Sequence, residues 1–180
     1  MVTAGRLERF ILGAEAAGAE VRRVGDVDEA AAVVAELLSA GKLDPVIASA
    51  DVRPLIESRI PLITPRTPRE FGRAAAGIVA ADFGIAETGT LVHLDRDDEE
   101  KMAWTLPEVC CALLSSSRVV ETAADLAAAF TKHLSPTGAG SAQVSLVTGP
   151  SRTADIENEL TIGVQGPARL VILLLDRASA

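Results

Sequence analysis

Two stretches of six consecutive apolar residues, VCCALL at 109–114 and LVILLL at 170–175, constrain the fold of this chain more than any other feature. A strand that is apolar at every position must be buried on both of its faces, as happens when helices cover both sides of a parallel sheet. The chain also contains shorter apolar runs. In the segments that separate the runs, apolar residues recur at helical spacing. The alternation predicts the α/β class, with helices on both faces of a mainly parallel sheet.

Helix positions follow from apolar spacing and capping residues. The first helix is predicted over residues 5–17, where apolar side chains repeat on one face. A second helix begins after Asp26 or Asp28, either of which can accept hydrogen bonds from its first turn. Gly41 is predicted to end it in the left-handed conformation that glycine adopts readily.

The middle of the chain carries a helix start followed by a hairpin. A capping-box pattern that begins at Thr67, with proline in the first turn, predicts a third helix over residues 68–77. Residues 78–94 are predicted to form strand, tight turn and strand, with the turn at 87–90. Shorter strands are predicted at residues 45–48, 60–63, 118–120 and 144–147.

Length and charge limit the organisation of the chain and its partners. A chain of 180 residues allows one sizeable core, so we predict an N-terminal helical segment over residues 1–24 and a single α/β domain over residues 25–180. Its 25 acidic and 17 basic residues give a net charge of −8, which repels nucleic acid and anionic bilayers. The apolar cluster at 10–12 is too short for a signal peptide or a membrane span. A cytoplasmic location is expected.

The metal-ligating residues are few and scattered. Cys110 and Cys111 are adjacent, so they cannot form the spaced thiolate pair of a metal knuckle, and an iron–sulfur cluster needs about four thiolates. His93 and His133 lie on different elements, without a second ligand at metal-binding spacing. We therefore expect that this chain binds no cofactor and no metal, and that its cysteines pack as small hydrophobic residues.

Two glycine-containing segments, residues 86–90 and 148–157, form a candidate binding site at the ends of predicted strands. Ligands of open α/β sheets bind beyond the carboxyl ends of the strands, so both turns are expected side by side at that edge. The second segment is predicted to open a helix capped by Ser151, whose free N–H groups and the Arg152 guanidinium would hold a carboxylate or phosphate. The alternative is that these residues only turn and cap the chain. The candidate ligand-binding residues are Thr88, Gly89, Thr90, Gly149, Ser151, Arg152, Thr153 and Asp155.

Glu87 is the candidate catalytic residue. It lies between apolar residues and the glycine of its turn, where burial would raise the pKa of its carboxyl and suit it to acid, base or acyl-acceptor chemistry. An ordinary surface glutamate is the alternative. Sequence fingerprints of dinucleotide, nucleoside-triphosphate and serine-hydrolase sites are absent from the chain.

The same two segments carry a family resemblance. AETGT at 86–90, then GPSRTADIE at 149–157 and GVQGP at 163–167, with Leu106-Pro107 between them, resemble the lactate utilization protein C family over residues 25–176. That family shares the LUD domain. The resemblance implies a three-layer α/β/α fold of the NagB/RpiA/CoA-transferase-like group. In relatives, histidine often stands where this chain has Gln165 and Cys110.

The resemblance implies a function as well. It points to a cytoplasmic protein of L-lactate catabolism that binds a small anionic ligand as a non-redox accessory subunit. Its partners would be an iron–sulfur oxidoreductase and a second cluster-bearing subunit, which convert L-lactate to pyruvate and hold the iron–sulfur clusters. Analogy with fold relatives implies an alternative, a stand-alone enzyme of acyl-transfer or folate cyclo-ligase type that uses Glu87.

Overall fold

The computed structural model of the chain describes residues 4–95, 97–133, 143–154, 160–162 and 166–176. The helices of this part are α1 (Ala4–Ala16), α2 (Val27–Gly41), α3 (Arg53–Ile56), α4 (Pro68–Phe71), α5 (Asp98–Thr105) and α6 (Ala123–His133). The strands are β1 (Glu20–Val24), β2 (Val46–Ala48), β3 (Ala76–Ala80), β4 (Phe83–Ile85), β5 (Thr90–Asp95), β6 (Val109–Ser115), β7 (Val119–Val120), β8 (Gln143–Val147), β9 (Arg152–Ala154), β10 (Leu160–Ile162) and β11 (Arg169–Leu175).

The two apolar runs lie at the centre of a parallel sheet, as predicted. The sheet has five strands in the order β1-β11-β6-β3-β2, and every neighbouring pair in it is parallel. Side chains of β6 and β11 alternate between two cores, so Cys110 and Leu170 pack on one face while Cys111 and Val171 pack on the other. Helices α1 and α5 contribute to the first core, and α2 and α3 to the second. The α/β class and the helical layers are confirmed.

A second sheet, which the sequence analysis did not separate from the first, covers part of the α1 face. Its strand order is β7-β4-β5-β8, with β4 and β7 parallel and the other pairs antiparallel. Leu91 of this sheet packs in the same core as Phe10 of α1. Helix α6 covers the opposite face, where Leu126 packs with Phe83 and Val92. The predicted hairpin of residues 78–94 is thus divided between two sheets.

The N-terminal segment is part of this architecture. Helix α1 agrees with the predicted helix over residues 5–17. Phe10 and Ala14 of α1 are fully buried in the first core. Residues 20–24, which the sequence analysis included in an N-terminal helical segment, form β1 and pair with β11. The segment therefore contributes an edge strand as well as a helix.

Helix starts were predicted better than helix ends. Asp26 caps α2 by accepting a hydrogen bond from the Glu29 N–H at 3.0 Å, and Thr67 caps α4 by accepting from the Glu70 N–H at 3.4 Å. The left-handed residue after α2 is Lys42, with φ of +51°, and not the predicted Gly41. Capping is local and readable from sequence, whereas a helix end also depends on where the chain must turn.

Three predicted elements are wrong. Helix α4 ends at Phe71, and residues 76 and 77, the predicted end of this helix, belong to β3 of the parallel sheet. Residues 60–63 do not form a strand, although the Ile63 N–H donates to the Val46 carbonyl at 2.9 Å. The chain after Ser151 forms β9, which pairs antiparallel with β10, in place of the predicted helix. For β3, pairing with β2 and β6, which are distant in sequence, overrides the local helical pattern. No helix of the described ranges is long and apolar enough to cross a bilayer.

Candidate functional site

The two glycine turns predicted as a binding site lie side by side. The Thr90 hydroxyl is 2.7 Å from the Thr88 hydroxyl and 2.7 Å from the Thr148 hydroxyl, so one hydrogen-bonded chain joins both turns. We call Thr88, Thr90 and Thr148 the threonine cluster. Thr90, at its centre, is buried, whereas Thr88 and Thr148 are exposed. The predicted proximity of the two turns is confirmed.

Both turns pack against the last turns of α1. Gly89 has φ of +66°, and a Cβ added to it would lie 1.9 Å from the Ala14 nitrogen. Gly149 has φ of +73°, and its added Cβ would lie 2.2 Å from the Ala17 carbonyl oxygen. Only glycine combines this backbone conformation with so close an approach. At these two positions the alternative of a structural turn is directly supported.

The turns do not lie at the predicted edge of the sheet. The Ser151 N–H donates to the Pro167 carbonyl at 2.9 Å, just before β11 begins, and Gly149 abuts Ala17, just before β1 begins. They therefore lie beside the amino ends of β1 and β11. The prediction of the carboxyl edge is wrong because the first turn follows β4 and the second follows β8, and both strands belong to the second sheet.

The helix N-terminus expected to hold an anion is not present. Arg152 and Thr153 lie in β9, and Arg152 pairs in register with Ile162 of β10. Their backbone groups therefore take part in a strand ladder and do not form the free N–H cluster of a helix start. Asp155, Gln165 and the side chains of Arg152 and Thr153 lie outside the described part of the chain, so their predicted roles stay predictions.

Glu87 is exposed, so the burial expected for a catalytic carboxyl is not found. Its Oε1 accepts a hydrogen bond at 3.0 Å from the N–H of Ala123, the first residue of α6. A carboxylate at a helix N-terminus satisfies a free donor and interacts favourably with the helix dipole. Glu87 thus ties the turn between β4 and β5 to α6, which is a structural role.

A cavity of about 230 Å³ opens at the carboxyl ends of the parallel strands. We call it the edge cavity. All five strands of the sheet contribute to it, either with their last residues or with the residues that follow them. Its lining comprises Val27 after β1, Asp51, Val52 and Leu55 after β2, Ala80, Ala81 and Asp82 around the end of β3, Leu113, Ser115 and Arg118 around the end of β6, and Leu175 of β11.

The polar residues of the edge cavity escaped the sequence analysis. Arg118 ends a single 3-10 turn after the central strand, and its guanidinium carbon lies 5.4 Å from the centre of the Phe83 ring, a cation–π contact. The Asp82 carboxylate accepts the Leu94 N–H at 2.8 Å, and the Asp51 carboxylate accepts the Ser49 hydroxyl at 2.6 Å. The available signal was a charged residue within three positions of the end of β2, β3 and β6.

A neighbouring cavity of about 260 Å³ has a different charge. It shares Asp51 with the edge cavity and adds Asp97, Glu99, Glu100 and Arg53 to its lining. Four carboxylates against one guanidinium make it unsuitable for an anion. The described residues contain no group of three histidine, cysteine or acidic side chains arranged to hold a metal ion. His93 is buried, stacks on Trp104 with ring centres 5.2 Å apart, and places Nδ1 3.0 Å from the Ala80 carbonyl oxygen.

The two cysteines are buried on opposite faces of β6, as small hydrophobic residues would be. Burial raises the pKa of the Cys111 thiol to about 12 and also raises the pKa of the Cys110 thiol, because the low-dielectric core disfavours a thiolate. The thiolate is the form that binds metals and reacts with disulfides. Neither residue is therefore suited to catalysis or to cluster binding.

We expect a thiol-specific disulfide reagent to leave the native protein unmodified at pH 8. Unfolding in denaturant should release both thiols, since the chain has two cysteines. The measurement is the absorbance of the released chromophore, before and after denaturant is added. Reaction of even one thiol per folded chain, at a rate faster than global unfolding, would contradict the burial of both side chains.

Comparison with known proteins adds three findings. A family model described as "LUD domain" matches residues 7–175. "Lactate utilization protein C" of Geobacillus kaustophilus is 33% identical over 106 residues, which are 58% of this chain and 44% of that protein. A protein of the same name from an Exiguobacterium species is 35% identical over 117 residues, 62% of this chain and 49% of that protein. The chain thus spans about half the length of these curated relatives.

The fold comparison covers nearly the whole chain. The crystal structure of a DUF162 family protein from Deinococcus radiodurans resembles this structure with a TM-score of 0.74 at 20% sequence identity. The similarity extends over 96% of this chain and 97% of that one. At this identity the match establishes a shared fold.

Proposed function

The chain belongs to the LUD domain family, and from this membership we propose that it acts as a lactate utilization protein C-like accessory subunit. In this role it takes part, together with iron–sulfur partner proteins, in the oxidation of L-lactate to pyruvate in the cytoplasm. The names of the curated relatives support the lactate role. The iron–sulfur partners and the cytoplasmic location are the parts of the proposal that go beyond those names.

The chemistry of the reaction supports a division of labour between the chain and its partners. Oxidation of lactate to pyruvate removes two electrons and two protons, so an electron acceptor is required. Both cysteines of this chain are buried as protonated thiols. We therefore place the iron–sulfur clusters on the partner subunits, where spaced thiolates can ligate them. The chain itself supplies a non-redox function.

The threonine cluster is the observation that carries the ligand-binding part of this proposal. Two segments that carry the family resemblance are joined by hydrogen bonds through Thr90 and Thr148, the residue before Gly149, and the exposed residues Thr88 and Thr148 lie on either side of buried Thr90. Hydroxyl donors suit a carboxylate or phosphate oxygen. We propose that a small anion binds here, with Arg152 and Thr153 of the adjoining β9 as further donors.

Reconstitution with partner subunits tests the proposed function. Co-expressed with an iron–sulfur oxidoreductase and a second cluster-bearing subunit from the same organism, the affinity-tagged chain should capture both and support L-lactate oxidation with an artificial electron acceptor. Omitting the chain should abolish the activity. Thr88→Val combined with Thr148→Val should lower the activity by about tenfold, the loss expected for about 1.4 kcal/mol of hydrogen bonding, while capture is retained.

The matched control is Thr105→Val, because the Thr105 hydroxyl donates within its own helix, to the Lys101 carbonyl. It should leave both capture and activity unchanged. Failure to capture either partner would contradict the accessory role. Turnover of acyl-CoA or folate substrates by the purified chain alone would favour instead the stand-alone enzyme with Glu87 as its reactive group.

A further inference from the structure

We propose that the edge cavity binds a small carboxylate that carries a hydrogen-bond donor on its α carbon, either a 2-hydroxy acid or an α-amino acid. This second site lies at the carboxyl ends of the parallel strands, whereas the threonine cluster lies beside the amino ends of β1 and β11. It is inferred from the cavity alone and does not require the accessory role or the iron–sulfur partners.

The path of the chain explains why a crevice forms at this place. After β1 and β2 the chain passes to α2 and α3, which pack on one face of the sheet. After β3 and β6 it passes to the second sheet, on the other face. Loops that leave neighbouring strands toward opposite faces open a crevice between them, which is where ligands bind in open α/β sheets.

Arg118 supplies the group that recognises a carboxylate. Arg118 is an exposed residue that forms no ion pair within the described ranges, and its guanidinium lies over the Phe83 ring. The ring restrains the guanidinium from one side and leaves its N–H donors available. Two parallel N–H donors match the two oxygens of a carboxylate, so a bidentate contact is the natural use of this side chain.

Asp51 and Asp82 determine which carboxylate fits. Both line the cavity with Arg118, so its three charged groups sum to −1. A plain carboxylate would bring a further negative charge toward two acidic side chains without offering them a hydrogen bond. A hydroxyl or ammonium on the α carbon offers that bond, because an ionised carboxylate only accepts. The edge cavity therefore favours ligands that place a donor beside their carboxylate.

The remaining lining limits the size of the ligand. Val52, Leu55, Leu113 and Leu175 form an apolar wall next to the charged groups. A cavity of about 230 Å³ accommodates a molecule of a few carbon atoms, whose short aliphatic group would lie against this wall. Acids with a long chain or a second carboxylate are disfavoured by size and by charge.

Four acids with the same three-carbon skeleton provide the test. L-Lactate and L-alanine carry a donor on the α carbon, pyruvate carries an acceptor there, and propionate carries neither. Isothermal titration calorimetry of the full chain should show that lactate or alanine binds at least about tenfold tighter than propionate and pyruvate. The Asp51→Asn variant distinguishes lactate from alanine as the preferred ligand. It keeps a hydrogen-bond acceptor but removes the negative charge, so it should lower the affinity for alanine more than the affinity for lactate.

Arg118→Met is the decisive variant because it keeps an aliphatic stem over Phe83 and removes only the charged donors. Affinity for the preferred acid should fall about tenfold to a hundredfold, with an unchanged circular dichroism melting curve. Arg69→Met, an exposed arginine of α4 that does not line the cavity, should leave affinity unchanged. The double threonine variant of the first site should also leave it unchanged.

Three results would overturn the assignment. The first is that propionate binds as tightly as both lactate and alanine, the second is an unchanged affinity in Arg118→Met, and the third is that none of the four acids binds. None of these results bears on capture of the iron–sulfur partners. Conversely, loss of partner capture would leave the calorimetric preference intact. The experiment thus separates the edge cavity from the proposed accessory function.

Discussion

Gly89→Ala should lower the free energy of unfolding by about 2–5 kcal/mol. Its φ of +66° lies in the left-handed region, which costs a residue with a Cβ roughly 1–2 kcal/mol. The added Cβ would also lie 1.9 Å from the Ala14 nitrogen, so the backbone of α1 or of the turn must move. Displacement of packed backbone typically adds about 1–3 kcal/mol. Urea denaturation followed by far-ultraviolet circular dichroism measures the change.

Gly5→Ala is the matched control for this substitution. Gly5 lies in α1, and nothing lies within 4 Å of an added Cβ, so alanine there should be neutral or stabilise the helix by up to about 1 kcal/mol. If Gly89→Ala were as stable as the native protein, the close approach of the turn to α1 would be wrong. The predicted ligand role of Gly89 would then be the remaining reason for its presence.

Phe10→Ala should lower the free energy of unfolding by about 3–5 kcal/mol as well. The Phe10 ring is 0% exposed and packs with Leu114 of the central strand. Removing a buried aromatic ring forfeits its transfer free energy and leaves a cavity under α1. Leu12→Ala on the same helix is the control, since Leu12 is 67% exposed and should change stability by no more than about 0.5 kcal/mol.

This pair of variants also tests the predicted division at residue 24. A single cooperative transition, shifted by Phe10→Ala, would show that α1 unfolds with the sheet. An unchanged main transition, with only a separate loss of helical signal, would show instead that the N-terminal segment folds independently. The burial of Phe10 between the two sheets leads us to expect the first result.

The predicted site illustrates why local patterns reach only part of a binding surface. Spacing and composition identified the two glycine turns, and the structure joins them through Thr90 and Thr148. The edge cavity was missed because Asp51, Asp82 and Arg118 come from separate loops that carry no shared motif. Such residues converge only when the strand order is known, and strand order is not encoded in the periodicity of any single segment.

What the sequence determined by itself was the class of the fold and the start of several elements. Six consecutive apolar residues in β6 and in β11 are typical of strands buried on both faces, and the structure places each run between two cores. Caps such as Asp26 and Thr67 act within one turn of chain, so they are readable before folding.

Tertiary structure decided everything that depends on a remote partner. Residues 76 and 77, the end of the predicted third helix, belong to β3 because β2 and β6 flank that strand. The position of the glycine turns beside the amino ends of β1 and β11 followed from a second sheet that only long-range pairing creates. Strand pairing joins residues that are distant in sequence, and the favourable energy of such contacts exceeds the small local propensities that a sequence pattern reports.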